Sequence, residues 1–172
     1  MDKAFVLRVE KTIKDIKKKL LMNEKLRKLL YYESEDLTSD CEVPTIQLVK
    51  DNIFTQPIVE IDVKPPFNKR MFISITLAAS GFASANEVDH AIKVSVMAHN
   101  KNWTYDDGKI RVLHMMQEVI NELDGAKFAC AAKLSYEQAL QTTIDSSTNG
   151  YAIMFGVTDG TGEKEDDRYE DN

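Results

Sequence analysis

Residues 90–123 read HAIKVSVMAHNKNWTYDDGKIRVLHMMQEVINEL, and the spacing of the apolar side chains changes once inside that stretch. Ile92, Val94, Val96 and Ala98 alternate with Lys93, Ser95, Met97 and His99, the two-residue repeat of a strand with one apolar and one mixed face. The chain breaks at Asn100–Gly108. Ile110, Leu113, Gln117, Ile120 and Leu123 then return at helical spacing, which predicts a helix over about 109–123 with those residues against the sheet. Asp106 and Asp107 sit beside Trp103 and Tyr105, where carboxylates can bind a metal or rim a pocket. The favoured reading is that one of them caps the helix, since Asp accepts first-turn amides and complements the helix dipole. Trp103 is either a core anchor or an interface residue, aromatic enrichment at interfaces balancing the two. No catalytic group interrupts the unit, so it reads as a building block that contacts other proteins.

On the N-terminal side, Phe5, Val9, Ile13, Ile16 and Leu20 recur at spacings of four and three with lysines on the other face, predicting an amphipathic helix over about Lys3–Leu21. Asn23 reads as a break or cap, after which Leu26, Leu29 and Leu30 extend a helical pattern to about Tyr31. Glu33–Pro44 carries turn formers and acids, as a surface loop does. A short helix is expected over about Thr45–Phe54. Val59, Ile61 and Val63, and then Met71, Ile73, Ile75 and Leu77, mark two strands joined by Lys64–Arg70, where Pro65 and Pro66 forbid ladder hydrogen bonds and leave an extended arm.

On the C-terminal side, Gly125 is placed as the helix C-cap. Phe128–Leu140 and Tyr151–Val157 form a last strand pair around a turn at Asp145–Gly150. These elements make one α+β domain over residues 1–158, with a mixed or antiparallel sheet of about five strands packed against two or three helices. Residues 159–172 form an acidic tail whose composition cannot bury a core and which is expected to be flexible.

The chain has 172 residues, 43% hydrophobic and 29% charged, within the range of a single globular domain and far from disorder. Its apolar runs are too short for a membrane span, and the charged first residues do not form a signal peptide, so a cytoplasmic origin is expected. The net charge of −6 is unevenly spread. Residues 1–30 hold ten Lys and Arg against four Asp and Glu, a surplus of six positive charges, while acids dominate the rest. Separated poles of opposite sign steer copies of a molecule together and set register, so self-association is expected.

Chemistry-bearing patterns are sparse. The lysines of the first helix lack the interleaved aromatics of a single-strand binder, and read as a solvated face. His90 and His99, nine apart on one strand, point to opposite faces, and His114 stands alone. Cys41 and Cys130 form no CxxC and no zinc spacing, and neither carries a nucleophile signature. Gly156, Gly160 and Gly162 before Lys164 lack phosphate-loop spacing. No metal, cofactor or catalytic residue is therefore expected, and the protein is not read as an enzyme.

In order of elements the chain resembles the tail terminator and head-to-tail joining proteins of long-tailed bacteriophages. The likeness lies in the basic helix ending in Leu29-Leu30-Tyr31-Tyr32, the Glu33–Ser39 loop, the arm at Val63-Lys64-Pro65-Pro66-Phe67, and the His90–His99 strand running through Trp103 to the Lys109–Leu123 helix. The acidic residues after Asp159 are not part of that pattern. The resemblance implies a homo-oligomer, a hexameric ring on the last ring of the tail tube that stops its growth and joins it to neck and connector proteins. DNA would pass through the pore without specific binding, past acidic side chains from Glu33–Glu42 or the tail. It places the protein in the virion after assembly in the host cytoplasm, with no membrane partner. Candidate contacts are Lys64, Pro65, Pro66, Phe67, Lys69 and Arg70 of the arm, Glu33, Glu35 and Asp36 of the loop, and Trp103. The alternatives are another neck component, such as a connector or stopper, and a small cytoplasmic enzyme or nucleic-acid-binding module.

Overall fold

The computed structural model describes residues 3–32, 41–55, 71–79, 90–105, 108–128 and 132–159. Helix α1 (Lys3–Met22) closes at Asn23, whose side chain accepts a hydrogen bond from the Leu26 amide at 2.7 Å and so caps α2 (Glu24–Tyr31). Ile16 and Leu20 of α1 and Leu26, Leu29 and Leu30 of α2 are buried, in keeping with the expected stripes. The short helix before the sheet is α3 (Ile46–Val49), continued by a 3-10 turn at Lys50–Asn52. Its expected end, Ile53–Phe54, is instead strand β1.

The sheet runs β1-β2-β3-β5-β4, with β2 at Met71–Ala79, β3 at His90–His99, β4 at Ala132–Asp145 and β5 at Thr148–Asp159. The β1–β2 pair is parallel and the other three are antiparallel, so the sheet is mixed. The fold is α+β in a single domain. Helices α1, α2 and α4 (Arg111–Leu123) bury Ile73, Ile75, Ile92, Val94, Val96, Ile153 and Phe155 against one face. The mixed face of β3 is also shielded: Ser95 and Met97 are buried with Phe72, Ser74 and Thr76 of β2.

Two expectations need correction. The helix stripe on α4 is Val112, Met115, Val119 and Leu123, all buried, whereas Ile110, Leu113 and Gln117 face outward. Two apolar stripes share this helix, and the one with the fuller set of apolar side chains faces the sheet. The N-cap residue of α4 is Ile110, which makes no side-chain cap, and the Arg111 amide donates to the Trp103 carbonyl at 2.9 Å; the expected caps Asp106 and Asp107 lie outside the described residues. An antiparallel bridge between Thr104 and Ile110, with Gly108 at φ +81° between them, leads into the helix. The last strand pair is longer and its turn tighter than expected, because Thr142, Thr143 and Asp145 still pair across to Gly150, Asn149 and Thr148. The fifth strand is β1, while the expected strand at 59–63, the Lys64–Arg70 arm and the residues after Asp159 lie outside the described residues. Gly125, at φ +73°, comes directly after the C-cap Asp124 in the left-handed conformation that a helix end favours.

Gly150 pairs with Met97, and a Cβ there would fall inside contact distance of the Val96 carbonyl oxygen and 2.7 Å from the Met97 Sδ. At Gly156 a Cβ would meet only the carboxylate end of the exposed Glu137 side chain, which can swing away. Gly150→Ala should therefore lower unfolding free energy by about 1–3 kcal/mol in urea denaturation, and Gly156→Ala by less than about 1 kcal/mol. Equal costs at the two positions would refute the close β3–β5 approach.

Candidate interaction surface

Arg111, in the first turn of α4, is 1% exposed. Its Nη1 donates to the Tyr32 carbonyl at 2.6 Å and approaches the Met71 Sδ at 2.9 Å, and its guanidinium lies 4.6 Å from the Tyr105 ring centroid. The guanidinium thus meets the carbonyl end of α2, the first residue of β2 and an aromatic face, each favourable to a cation. Asn52 repeats the device, donating from Nδ2 to the Leu30 carbonyl at 3.3 Å and the Met71 carbonyl at 2.9 Å. Between them the two side chains satisfy carbonyls that the last turn of α2 leaves without helical partners. The Tyr32 hydroxyl donates to the Glu42 carbonyl at 3.0 Å. Desolvation first, and then Cys41, Tyr31 and Glu42 nearby, hold that phenol above the usual tyrosine value.

Trp103 sits at one corner of the sheet, half-buried and 6.3 Å from the Tyr151 ring centroid, so part of it packs on the core and part meets solvent. An asparagine ladder ties this corner to the β4–β5 turn. The Asn100 amide donates to the Ser147 carbonyl at 2.7 Å, the Asn149 Nδ2 to the Asn100 Oδ1 at 2.7 Å, and the Thr143 hydroxyl to the Asn149 Oδ1 at 2.7 Å.

At the opposite end, the elbow between α1 and α2 grips α4. Asn23 Nδ2 donates to Glu122 at 2.9 Å and Glu118 at 3.3 Å, Lys25 pairs with Glu118 at 2.5 Å, and Lys19 pairs with Glu122 at 3.3 Å. Beside this seam lies an open groove of about 410 Å³ lined by Lys18, Lys19 and Met22 of α1, Glu122 of α4, and Lys127 and Phe128 beyond it. Asp15 adds a second carboxylate to its wall.

Lys64, Pro65, Pro66, Phe67, Lys69, Arg70, Glu33, Glu35 and Asp36 lie outside the described residues, as do Asp106, Asp107 and Cys130. Trp103 is the one candidate contact that can be placed. His99 accepts a hydrogen bond from the Lys101 amide at 3.2 Å, and His114 faces Tyr105 with ring centroids 6.0 Å apart. Among the described residues no three His, Cys, Asp or Glu side chains come together as a metal site would require, and no helix is long and apolar enough to cross a membrane. Sequence reasoning passed over Arg111, Asn52 and the groove. Arg111 looks like any surface arginine beside the Gly108-Lys109-Ile110 break, and only the approach of α2 makes it a core residue.

The YomW family model matches residues 23–157. No curated protein and no solved structure matches the chain.

Arg111→Ala should lower unfolding free energy by about 2–4 kcal/mol, since it strips a buried carbonyl of its donor and removes a packed side chain. Arg111→Lys should recover less than half of that, because an ammonium cannot reproduce the planar fork and the ring contact. Chemical denaturation of the three proteins measures both numbers, and a full rescue by Lys would show that charge alone matters.

Proposed function

The chain belongs to the phage-associated YomW family, and from that premise we propose that it is a structural virion protein, a tail terminator. In this reading identical subunits close into a ring of about six that caps the tail tube and presents its other face to neck and connector proteins. The ring assembles in the host cytoplasm and remains in the virion, DNA slides through it without specific contacts, and the protein has no catalytic role and no cofactor.

The observation that carries the reading is the outer edge of β4. Its first half is sealed from within: the Gly125 amide donates to the Leu134 carbonyl at 2.8 Å, the Leu134 amide to the Ala126 carbonyl at 3.0 Å, and the Tyr136 amide to the Asp124 Oδ1 at 2.8 Å. From Glu137 to Asp145 no strand pairs with that edge among the described residues. Open edges are usually guarded by charge, proline or bulges; Glu137–Asp145 holds no lysine or proline, and its register shifts at Tyr136/Gln138 and Thr143/Asp145 bracket a regular stretch centred on Leu140. Leu140, midway along, is 55% exposed. The opposite edge of the sheet among the described residues is the short β1, and in this reading the β4 edge meets an unlike patch of the neighbouring copy rather than a second β4 edge. Contacts of that kind generate rings when the rotation closes. The basic first helix set against an otherwise acidic chain supplies the charge complementarity that orients such neighbours.

Disrupting the gene in a phage that carries it tests the reading by electron microscopy. Expected are tails of uncontrolled length that do not join heads. Tails of normal length that fail to join heads assign a stopper or connector instead, and normal virions overturn a neck role altogether. A second test addresses the edge itself. Leu140→Glu should leave the subunit folded, within about 0.5 kcal/mol of the parent, as exposed substitutions generally do, while virions carrying it show the same overlong tails. Normal tail length in that variant would remove β4 from the subunit contact.

A further inference from the structure

The groove between α1 and α4 sets three lysines against two carboxylates, Asp15 and Glu122. Of its three lysines, Lys19 is engaged by Glu122 at 3.3 Å, while Lys18 and Lys127 are exposed and form no ion pair among the described residues. Between them lies apolar surface. Met22 is 56% exposed at the end of α1, and Phe128 is only partly buried. A pair of unspent ammonium groups flanking a thioether and a ring fits an acidic segment that also carries an aromatic side chain.

The chain itself delivers such a segment to this place. The last residue of β5, Asp159, pairs with Ala132, the preceding Thr158 pairs with Lys133, and Lys133 is bridged to Lys127 on the groove's rim. The strand therefore ends two inter-strand steps from Lys127, about 10 Å. Beyond Asp159 the sequence runs through Gly160-Thr161-Gly162 to Glu163, Glu165, Asp166, Asp167, Glu170 and Asp171, set against Lys164 and Arg168, with Tyr169 among them. The two glycines allow the chain to reverse, and ten residues reach up to about 33 Å, enough to carry Tyr169 across the groove.

We propose that the acidic segment 160–172 docks in the α1–α4 groove of its own chain, with the Glu163–Asp167 carboxylates on Lys18 and Lys127 and Tyr169 on Met22 and Phe128. Each exposed ion pair is weak, but a short tether holds the segment at an effective concentration in the millimolar range, so modest contacts suffice for majority occupancy. The docked segment screens Lys18 and Lys127 from polyanions, and added salt or a stronger acidic competitor releases it. The inference stands on the groove and the exit of β5, and holds whether or not the subunits form a ring.

Lysine acetylation of the full chain, read site by site by mass spectrometry, tests it. The comparison is with a variant carrying Glu163→Gln, Glu165→Gln, Asp166→Asn and Asp167→Asn, which touches no packed residue of the described fold. Lys18 and Lys127 should react about two- to fivefold faster in the variant, the factor released by a segment docked half to four-fifths of the time. Lys93 and Lys101 should not change, and high salt should make the parent behave like the variant. Unchanged rates at Lys18 and Lys127, or a uniform rise at every lysine, overturn the docking. Protection of Lys18 and Lys127 that grows with protein concentration overturns docking within one chain and assigns the segment to a neighbouring copy.

Discussion

A single buried guanidinium holds the helical layer to the sheet. Taking a cation out of water is unfavourable unless its charge is answered, and the Nη1 group and charge of Arg111 meet three elements at once: a helix-end carbonyl, a thioether at the start of β2 and the face of Tyr105. Its position opposes local preference, since the first turn of a helix disfavours positive charge. The C-terminus of α2 reverses that preference from outside. None of α2, α4 and β2 therefore offers this arginine an acceptable environment alone, and the three become conditions for one another.

With that layer locked, the outward surfaces are set by what remains. Helices cover one face of the sheet, the 124–127 segment covers the first half of the β4 edge, and the elbow at Asn23 clamps α1 against α4 through Glu118 and Glu122. What is left open is a stretch of edge strand with an exposed leucine, a corner bearing a half-buried tryptophan, and a groove with unspent lysines. These surfaces offer, respectively, backbone pairing, aromatic contact and charge. The proposed assembly role rests on these surfaces together with membership of a phage-associated family.

Legibility in the sequence tracked the range of the interaction. Asn23 announces a helix start because its side chain bonds an amide three residues on, and the Phe5-to-Leu20 stripe needs only a helical repeat to be read. Gly125 is legible for the same reason, a backbone conformation that favours glycine. The apolar face of α4 was misread because Ile110, Leu113, Ile120 and Leu123 repeat as regularly as Val112, Met115, Val119 and Leu123, and periodicity cannot say which stripe a sheet will meet. The stretch Asp145–Gly150 reads as the turn because it is polar throughout and nothing in it marks pairing. Yet it continues as paired strand, because the β4–β5 ladder and the Asn100–Asn149–Thr143 contacts engage backbone and amide groups that composition does not reveal. Of the candidate contacts, Trp103 was visible as an aromatic in a loop, whereas the groove joins Lys18 to Lys127 across more than a hundred residues and had no local trace.

By itself the sequence determined the period of each long element, the cap between the first two helices, the α+β class and the unequal distribution of charge, because each depends on neighbours a few residues away. Tertiary structure alone decided which stripe of α4 is inside, how far the last hairpin runs, that an arginine is a core residue and that distant lysines share a groove. Those outcomes depend on the energy of surfaces brought together from remote parts of the chain, and no local pattern encodes which surfaces will meet.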